Sequence, residues 1–270
     1  MMSTLTFSLV QTNLHWENKS ANLQMLTNQL NGLKTDGHII VLPEMFTTGF
    51  TMQPSLLAEN MGGSSIQWLH ETAKQKKSII TGSVIIEEEN NHTKSYYNRL
   101  IWMQPDGKCG YYNKRHLFSM AGEDQKYTPG EKRVLFSVGG WKILPLICYD
   151  LRFPVWSRQQ WSDNDDSEYD VLLYVANWPE KRIYAWRSLL IARAIENQCY
   201  VVAVNRIGND GNLISHNGNS MVIDPMGEVI FESMDEEIIK TVTLSKAHLN
   251  HCRQQYPFLK DGDHYQLLNN

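Results

Sequence analysis

The feature that most constrains this fold is a recurrence of short apolar runs, each long enough for a buried strand, separated by segments with helical spacing. Leu5 to Val10 alternates toward a strand, and residues 18–33 set Leu23, Leu26 and Leu30 at helical intervals, with Gly32 and Gly37 as breaks. A second buried strand lies in "HIIVLPEMF", and residues 64–77 return to helical spacing through Ile66, Leu69 and Ala73. "SIITGSVII" and "NRLIWMQPDGKCGYYNK" then read as strands, with Pro105-Asp106-Gly107 as a hairpin turn. From Trp141 the order recurs: a strand at 142–148, a short helix near 154–161, the strand "VLLYVAN", a helix from about 180 to 198, and the strand "YVVAVNRIG". A hairpin follows, "SMVIDPMGEVIFE", turned at Asp224-Pro225-Met226-Gly227. The likeness lies in element order, not in residues. It predicts an α/β protein of two similar halves, each a sheet with helices on one face, packed into a layered sandwich. The expected organisation is a single domain over residues 1–260 and a C-terminal tail over 261–270, with the acidic "SDNDDSEYD" at 162–170 as a solvated loop.

Composition narrows the function. A chain of 270 residues can bury most of its apolar surface, and a formal net charge of -4 provides no basic field for nucleic acid. No stretch approaches the roughly 18 apolar residues of a membrane span, and "MMSTLTFSLV" has no basic segment ahead of a long apolar core. The expectation is a cytoplasmic protein with no membrane partner. Four cysteines, Cys109, Cys148, Cys199 and Cys252, stand far apart with no C-x-x-C pair, which argues against a disulfide framework and against a zinc knuckle.

One of these cysteines stands apart. In "LPLICYDLRFP" an apolar strand ends at Cys148, because charges follow at once and Pro154 cannot continue a ladder. Most cysteines only pack. A nucleophilic one needs help with its proton, usually from histidine. His116 is the nearest candidate, yet its stretch "YYNKRHLF" also offers Lys114, and Glu44 closes the strand in "VLPEMF". Ligands collect beyond the carboxyl ends of strands in α/β sheets, so these positions can converge on one pocket. Taken singly, Glu44 reads equally as a surface or helix-start carboxylate and Lys114 as a solvated charge. His116 reads as a structural hydrogen-bonding residue, Cys109 as part of a hairpin turn, Cys199 as a strand entry, and Cys252 as part of the tail.

Together, "PEMF" with Glu44, "YYNKRHLF" with Lys114 and "LICYDLRFP" with Cys148 resemble the three catalytic motifs of the nitrilase superfamily of carbon-nitrogen hydrolases. The likeness runs nearly end to end, since "ARAIENQCYVVAVNRIG" and "GNSMVIDPMGEV" are similar to that family's later blocks. "CYDLRFPVWSR", "YVANWP" and "RAIENQ" are together most similar to its bacterial omega-amidase branch. The resemblance implies an α-β-β-α sandwich, usually paired as a homodimer, with no metal and no organic cofactor. It also implies a second glutamate on the loop after the lysine. Glu123, in "HLFSMAGEDQKYTPG", has the matching spacing, with Asp124 as the neighbour that could be confused with it.

The implied chemistry is amide hydrolysis through a thioester. Glu44 takes the thiol proton of Cys148, Lys114 and the backbone N–H of Tyr149 hold the oxyanion, and Glu123 positions the substrate and steadies Lys114. The branch implies short dicarboxylate monoamides such as α-ketoglutaramate and α-ketosuccinamate as the small-molecule substrates. Phe46 and Tyr149 are candidates to line the pocket. Arg152 is either a carboxylate binder or a structural salt bridge bracing the turn after Cys148, and Trp178 is either wall or core. The same four catalytic positions could serve a nitrilase, an aliphatic amidase or an N-carbamoyl amidase. A family member acting only as a binding or assembly subunit is the alternative of a different class.

Overall fold

The structure is a computed structural model that describes residues 2–34, 38–160 and 167–267. Gly37 and the part of the acidic run at 162–166 lie outside the described residues. The first half contains β1 (Thr4–Gln11), α1 (Lys19–Asn31), β2 (Ile39–Val41), α2 (Pro54–Leu57), α3 (Ser64–Lys76), β3 (Ile79–Asn90), β4 (Thr93–Met103) and β5 (Cys109–Asn113). Next come β6 (Phe136–Val138), β7 (Trp141–Ile147), α4 (Pro154–Ser157), β8 (Val171–Ala176), α5 (Ile183–Asn197) and β9 (Tyr200–Asn205). The chain closes with β10 (Ile207–Asn209), β11 (Ser215–Ile223), β12 (Val229–Met234), β13 (Ile238–Ser245) and α6 (Lys246–Gln255).

Two sheets carry these strands, in the orders β13-β1-β2-β3-β4-β5 and β10-β11-β9-β8-β7-β6, with β12 on β11. Each is built on three neighbouring parallel strands, β1-β2-β3 and β7-β8-β9. Antiparallel strands flank each trio: β13 and β4 in the first sheet, β6 and β11 in the second. The expected likeness of the halves is therefore real, but the halves interlock. β13 pairs along the whole of β1, from Thr4 opposite Ser245 to Gln11 opposite Ile238, so the chain's last strand completes the first sheet.

Strand alternation explains the layers. Leu5, Phe7 and Leu9 of β1 and Ile39 and Val41 of β2 share one buried cluster with the second sheet. Val10, Ile40 and Leu42 turn the other way, onto Leu26 and Leu30 of α1 and Leu69 and Ala73 of α3. Every residue of β8 is buried, as expected of a parallel strand covered on both faces. Trp186, Leu190 and Ala194 of α5 and Leu249 of α6 supply that outer cover. The result is the four-layer α-β-β-α sandwich.

Several local expectations change. β3 and β4 run well past their apolar stretches and meet at Asn91 and His92, whose φ angles of 51° and 63° close a tight hairpin. Asp170, at the end of the acidic run, is not solvated. It is 3% exposed and pairs with Lys246 at 2.5 Å and Arg253 at 3.1 Å, fastening α6 to the mouth of β8. Cys252 belongs to α6 and is buried, whereas Cys109 opens β5 and is exposed. The segment after Lys260 folds back, with the Tyr265 hydroxyl donating to Arg158 O at 2.7 Å. No helix among the described residues is long and apolar enough to cross a membrane.

Candidate active site

The site forms where strands end. Glu44 lies three residues beyond β2, Lys114 directly follows β5, Cys148 directly follows β7, and Asn177 directly follows β8. Cys148 opens a short 3-10 turn over Cys148–Arg152 and has φ of 43°, in the left-handed region that a residue with a Cβ occupies only under constraint. Met45 carries the same φ of 43° beside Glu44. These two kinks turn the chain abruptly out of the sheet and aim the neighbouring functional groups across the strand ends.

The Lys114 ammonium is the centre of the cluster. Its Nζ lies 2.9 Å from Glu44 Oε1 and 2.9 Å from Glu123 Oε2, and all three side chains are fully buried. Asp124, the alternative to Glu123, points to solvent. The carboxylates are held from behind: Asn98 Nδ2 donates to Glu44 Oε1 at 2.8 Å, Asn177 N to Glu44 Oε2 at 2.8 Å, and Phe118 N to Glu123 Oε2 at 2.6 Å. Phe50 offers its ring face 5.0 Å from the ammonium.

Burial alone would discharge Lys114, but the charges of Glu123 and Glu44 outweigh it and raise its pKa, so the ammonium persists. Burial pushes the Glu123 carboxyl up against the pull of Lys114. The Cys148 thiol is raised well above its ordinary value, first by burial and then by the charge of Glu44, with Lys114 opposing. A hydrogen bond between the thiol and Glu44 adds to that rise. Burial and the charge of Glu44 thus both favour the neutral thiol over the thiolate.

Glu44, Lys114 and Cys148 open onto one cavity of about 560 Å³. Tyr149, Arg152 and Trp178 also line it. The Arg152 guanidinium lies 4.8 Å over the Trp178 ring, and among the described residues it has no carboxylate partner, so the expected bracing salt bridge is absent. Trp178 is both core and wall: it is 3% exposed, its Nε1 donates to Arg182 O at 2.8 Å, and one edge faces the cavity. Phe46 does not line the cavity. Beyond the kink at Met45 its ring turns into the outer core and lies 5.9 Å from that of Trp68. Phe50, four residues on, takes the place at the wall.

Residues 6–254 match the model of the carbon-nitrogen hydrolase family. The chain belongs to that family. It is 42% identical to Omega-amidase YafV of Escherichia coli strain K12 over 98% of this chain and 100% of the relative. It is also 34% identical to 2-oxoglutaramate amidase of Bacillus subtilis, over 95% of this chain and 96% of that one. Among solved structures it is similar to XC1258 of Xanthomonas campestris, a CN-hydrolase superfamily protein with an arsenic adduct in its active site. That match has a TM-score of 0.94 and 40% identity, covering 98% of this chain and 100% of that chain. The protein is a hydrolase acting on carbon-nitrogen bonds.

In this carbon-nitrogen hydrolase, residues that sequence reasoning did not single out also reach the cluster. Asn98 reaches the cluster from the middle of β4, and its amide bridges Glu44 and Glu123 at 2.8 and 3.3 Å. In "NRLIWM" Asn98 stands beside Arg99 ahead of the apolar residues, and nothing local marks it as the one that reaches the cluster. Asn177 clips Glu44 twice, through its backbone N–H and through Nδ2 to Glu44 O at 2.6 Å. Arg182 lines the same cavity with its guanidinium 5.2 Å over the Phe118 ring. His116 is structural, as expected: its Nδ1 lies 2.8 Å from Asp150 Oδ1.

Proposed function

We propose that this hydrolase is an omega-amidase that releases ammonia from short dicarboxylate monoamides, with α-ketoglutaramate and α-ketosuccinamate as substrates. The names of its relatives support the activity. The observation that carries the mechanism is the buried Lys114 Nζ held at 2.9 Å by Glu44 and at 2.9 Å by Glu123, on the cavity that Cys148 also lines. As the Cys148 sulfur bonds to the amide carbon, Glu44 accepts the thiol proton, because a thiol held in its neutral form needs a base at the moment of attack. The Lys114 ammonium and the Tyr149 N–H stabilise the oxyanion; each such donor lowers the barrier by roughly 3–4 kcal/mol. Glu44 passes the proton to the amide nitrogen, ammonia leaves and a thioester remains. Glu44 then takes a proton from water, hydroxide adds to the thioester carbon, and the sulfur departs as the thiol.

Lys114 acts as an electrophile throughout, and Glu123 keeps it charged. The free carboxylate of the substrate pairs with Arg152, a cation on the cavity wall with no carboxylate of its own among the described residues. Trp178 forms the floor beneath it. The deciding experiment measures ammonia release across amides, nitriles and N-carbamoyl amino acids. Highest kcat/KM on α-ketoglutaramate or α-ketosuccinamate supports the proposal. Preference for nitriles, neutral amides or carbamoyl amino acids assigns one of the other acyl chemistries, and no turnover of any of them points to a binding subunit.

A further inference from the structure

Asp150 is a buried carboxylate that the chemistry above does not use, and it stands two residues from the nucleophile. Four donors occupy it. Oδ2 accepts from the Tyr112 hydroxyl at 2.8 Å and from Ile147 N at 3.0 Å. Oδ1 accepts from His116 N at 3.0 Å and faces His116 Nδ1 at 2.8 Å. An ionised carboxylate only accepts, so Nδ1 carries the ring hydrogen. The Tyr112 hydroxyl in turn accepts from Trp156 Nε1 at 3.0 Å and Arg115 N at 3.2 Å. The stacked ring of Phe153, 3.8 Å from that of His116, closes the other side.

Among the described residues these donors come from two places. Tyr112 and His116 flank Lys114, and Ile147 immediately precedes Cys148. One carboxylate therefore ties the segment that carries the ammonium to the turn that carries the sulfur. That turn needs a tie, since Cys148 holds a left-handed φ that relaxes unless its surroundings fix it. We propose that Asp150 is a positioning residue that fixes the Cys148 sulfur relative to the Lys114 ammonium through Tyr112, His116 and the Ile147 N–H. The proposal rests on Cys148 being the nucleophile.

Asparagine at 150 keeps the shape but presents an amide N–H₂ to donors on one side, so those contacts turn repulsive and the turn shifts. A displacement of about 1 Å at a reacting group lowers rate about a hundredfold. The test measures kcat and KM for ammonia release from α-ketoglutaramate, or from whichever amide the wild type turns over, in Asp150→Asn, Tyr112→Phe and Cys148→Ala, together with thermal melting. Expected for folded Asp150→Asn is a kcat loss of about a hundredfold with KM held within about threefold; Tyr112→Phe, which deletes one tie, loses about tenfold in kcat alone. Kinetics of folded Asp150→Asn within twofold of wild type, or a loss residing in KM, overturns the proposal. If Asp150→Asn does not fold, Tyr112→Phe decides, and its unchanged kcat overturns the proposal. Activity surviving in Cys148→Ala would instead remove the nucleophile reading, a separate failure.

Discussion

Lys114 Nζ and Glu44 Oε1, seventy positions apart in the chain, meet at 2.9 Å with neither side chain exposed to solvent. Taking a charge pair fully out of water is costly unless further hydrogen bonds satisfy both members, and here a second carboxylate, Glu123, sits on the same ammonium. Burial and the neighbouring Glu44 push the Glu123 carboxyl up, so the second carboxyl does not simply double the attraction. An arrangement of this kind is poor as a stabilising device and well suited to holding a proton acceptor against a thiol.

Removing the cation exposes that cost. Lys114→Ala leaves Glu44 and Glu123 facing each other without water, so it lowers stability by about 3–5 kcal/mol as well as abolishing turnover. Cys148→Ala abolishes turnover and leaves stability nearly unchanged, since the thiol carries no structural charge. Urea unfolding of the two variants measures the contrast.

Arg152→Ala tests the pairing with the substrate's free carboxylate. A charge-assisted contact of about 1.5–3 kcal/mol predicts a rise in KM of roughly ten- to hundredfold for α-ketoglutaramate. The neutral amide of equal length should be hydrolysed as by the wild type. Equal effects on both amides would assign Arg152 to the wall.

His216, a buried residue of the cavity wall, predicts acid sensitivity. Burial, then the charge of Arg206, lowers its pKa to about 4 from 6.5. A depressed folded pKa means that stability is intact above pH 6.5 and falls as pH drops from 6.5 toward 4, because the unfolded chain binds the proton first. The window is worth about 3 kcal/mol. His216→Asn should flatten the fall between pH 7 and 5, as read by denaturant unfolding at each pH.

Asp170 separates buried from surface ion pairs. Asp170→Asn strips Arg253 and Lys246 of their shared carboxylate and should cost about 3 kcal/mol of stability. Glu232→Gln removes the partner of Arg187 in a pair whose arginine is 49% exposed, and should change stability by less than about 1 kcal/mol. Paired urea titrations check the difference.

The layered fold was legible because its strands are short, apolar and separated by clean helical spacing. Glu44, Lys114 and Cys148 were set apart by the resemblance of their three motifs taken together, since each alone also reads as an ordinary surface or packing residue. What escaped detection had no local signature. β13 finds β1 across more than two hundred residues, and the Glu87 to Lys94 tip of the β3–β4 hairpin is polar, held by backbone pairing where periodicity has nothing to report. Phe46, a candidate for the pocket wall, lies in the outer core instead, beyond the kink at the left-handed Met45. Of the two readings of Arg152, the bracing salt bridge fails because an indole face lies against its guanidinium. Asn98 and Asn177 act on the cluster through amides, a residue type whose role depends wholly on what lies opposite.

In the proposed mechanism Cys148 carries the acyl group. Acid-quenching the enzyme during turnover of α-ketoglutaramate, followed by peptide mass spectrometry, tests it directly. The expected result is an adduct on the Cys148 peptide equal to substrate less ammonia, accumulating in Glu44→Gln if that variant acylates at all, and missing from an inactive Cys148→Ala. Steady ammonia release by Cys148→Ala, or an acyl group found on a different residue, would contradict the account.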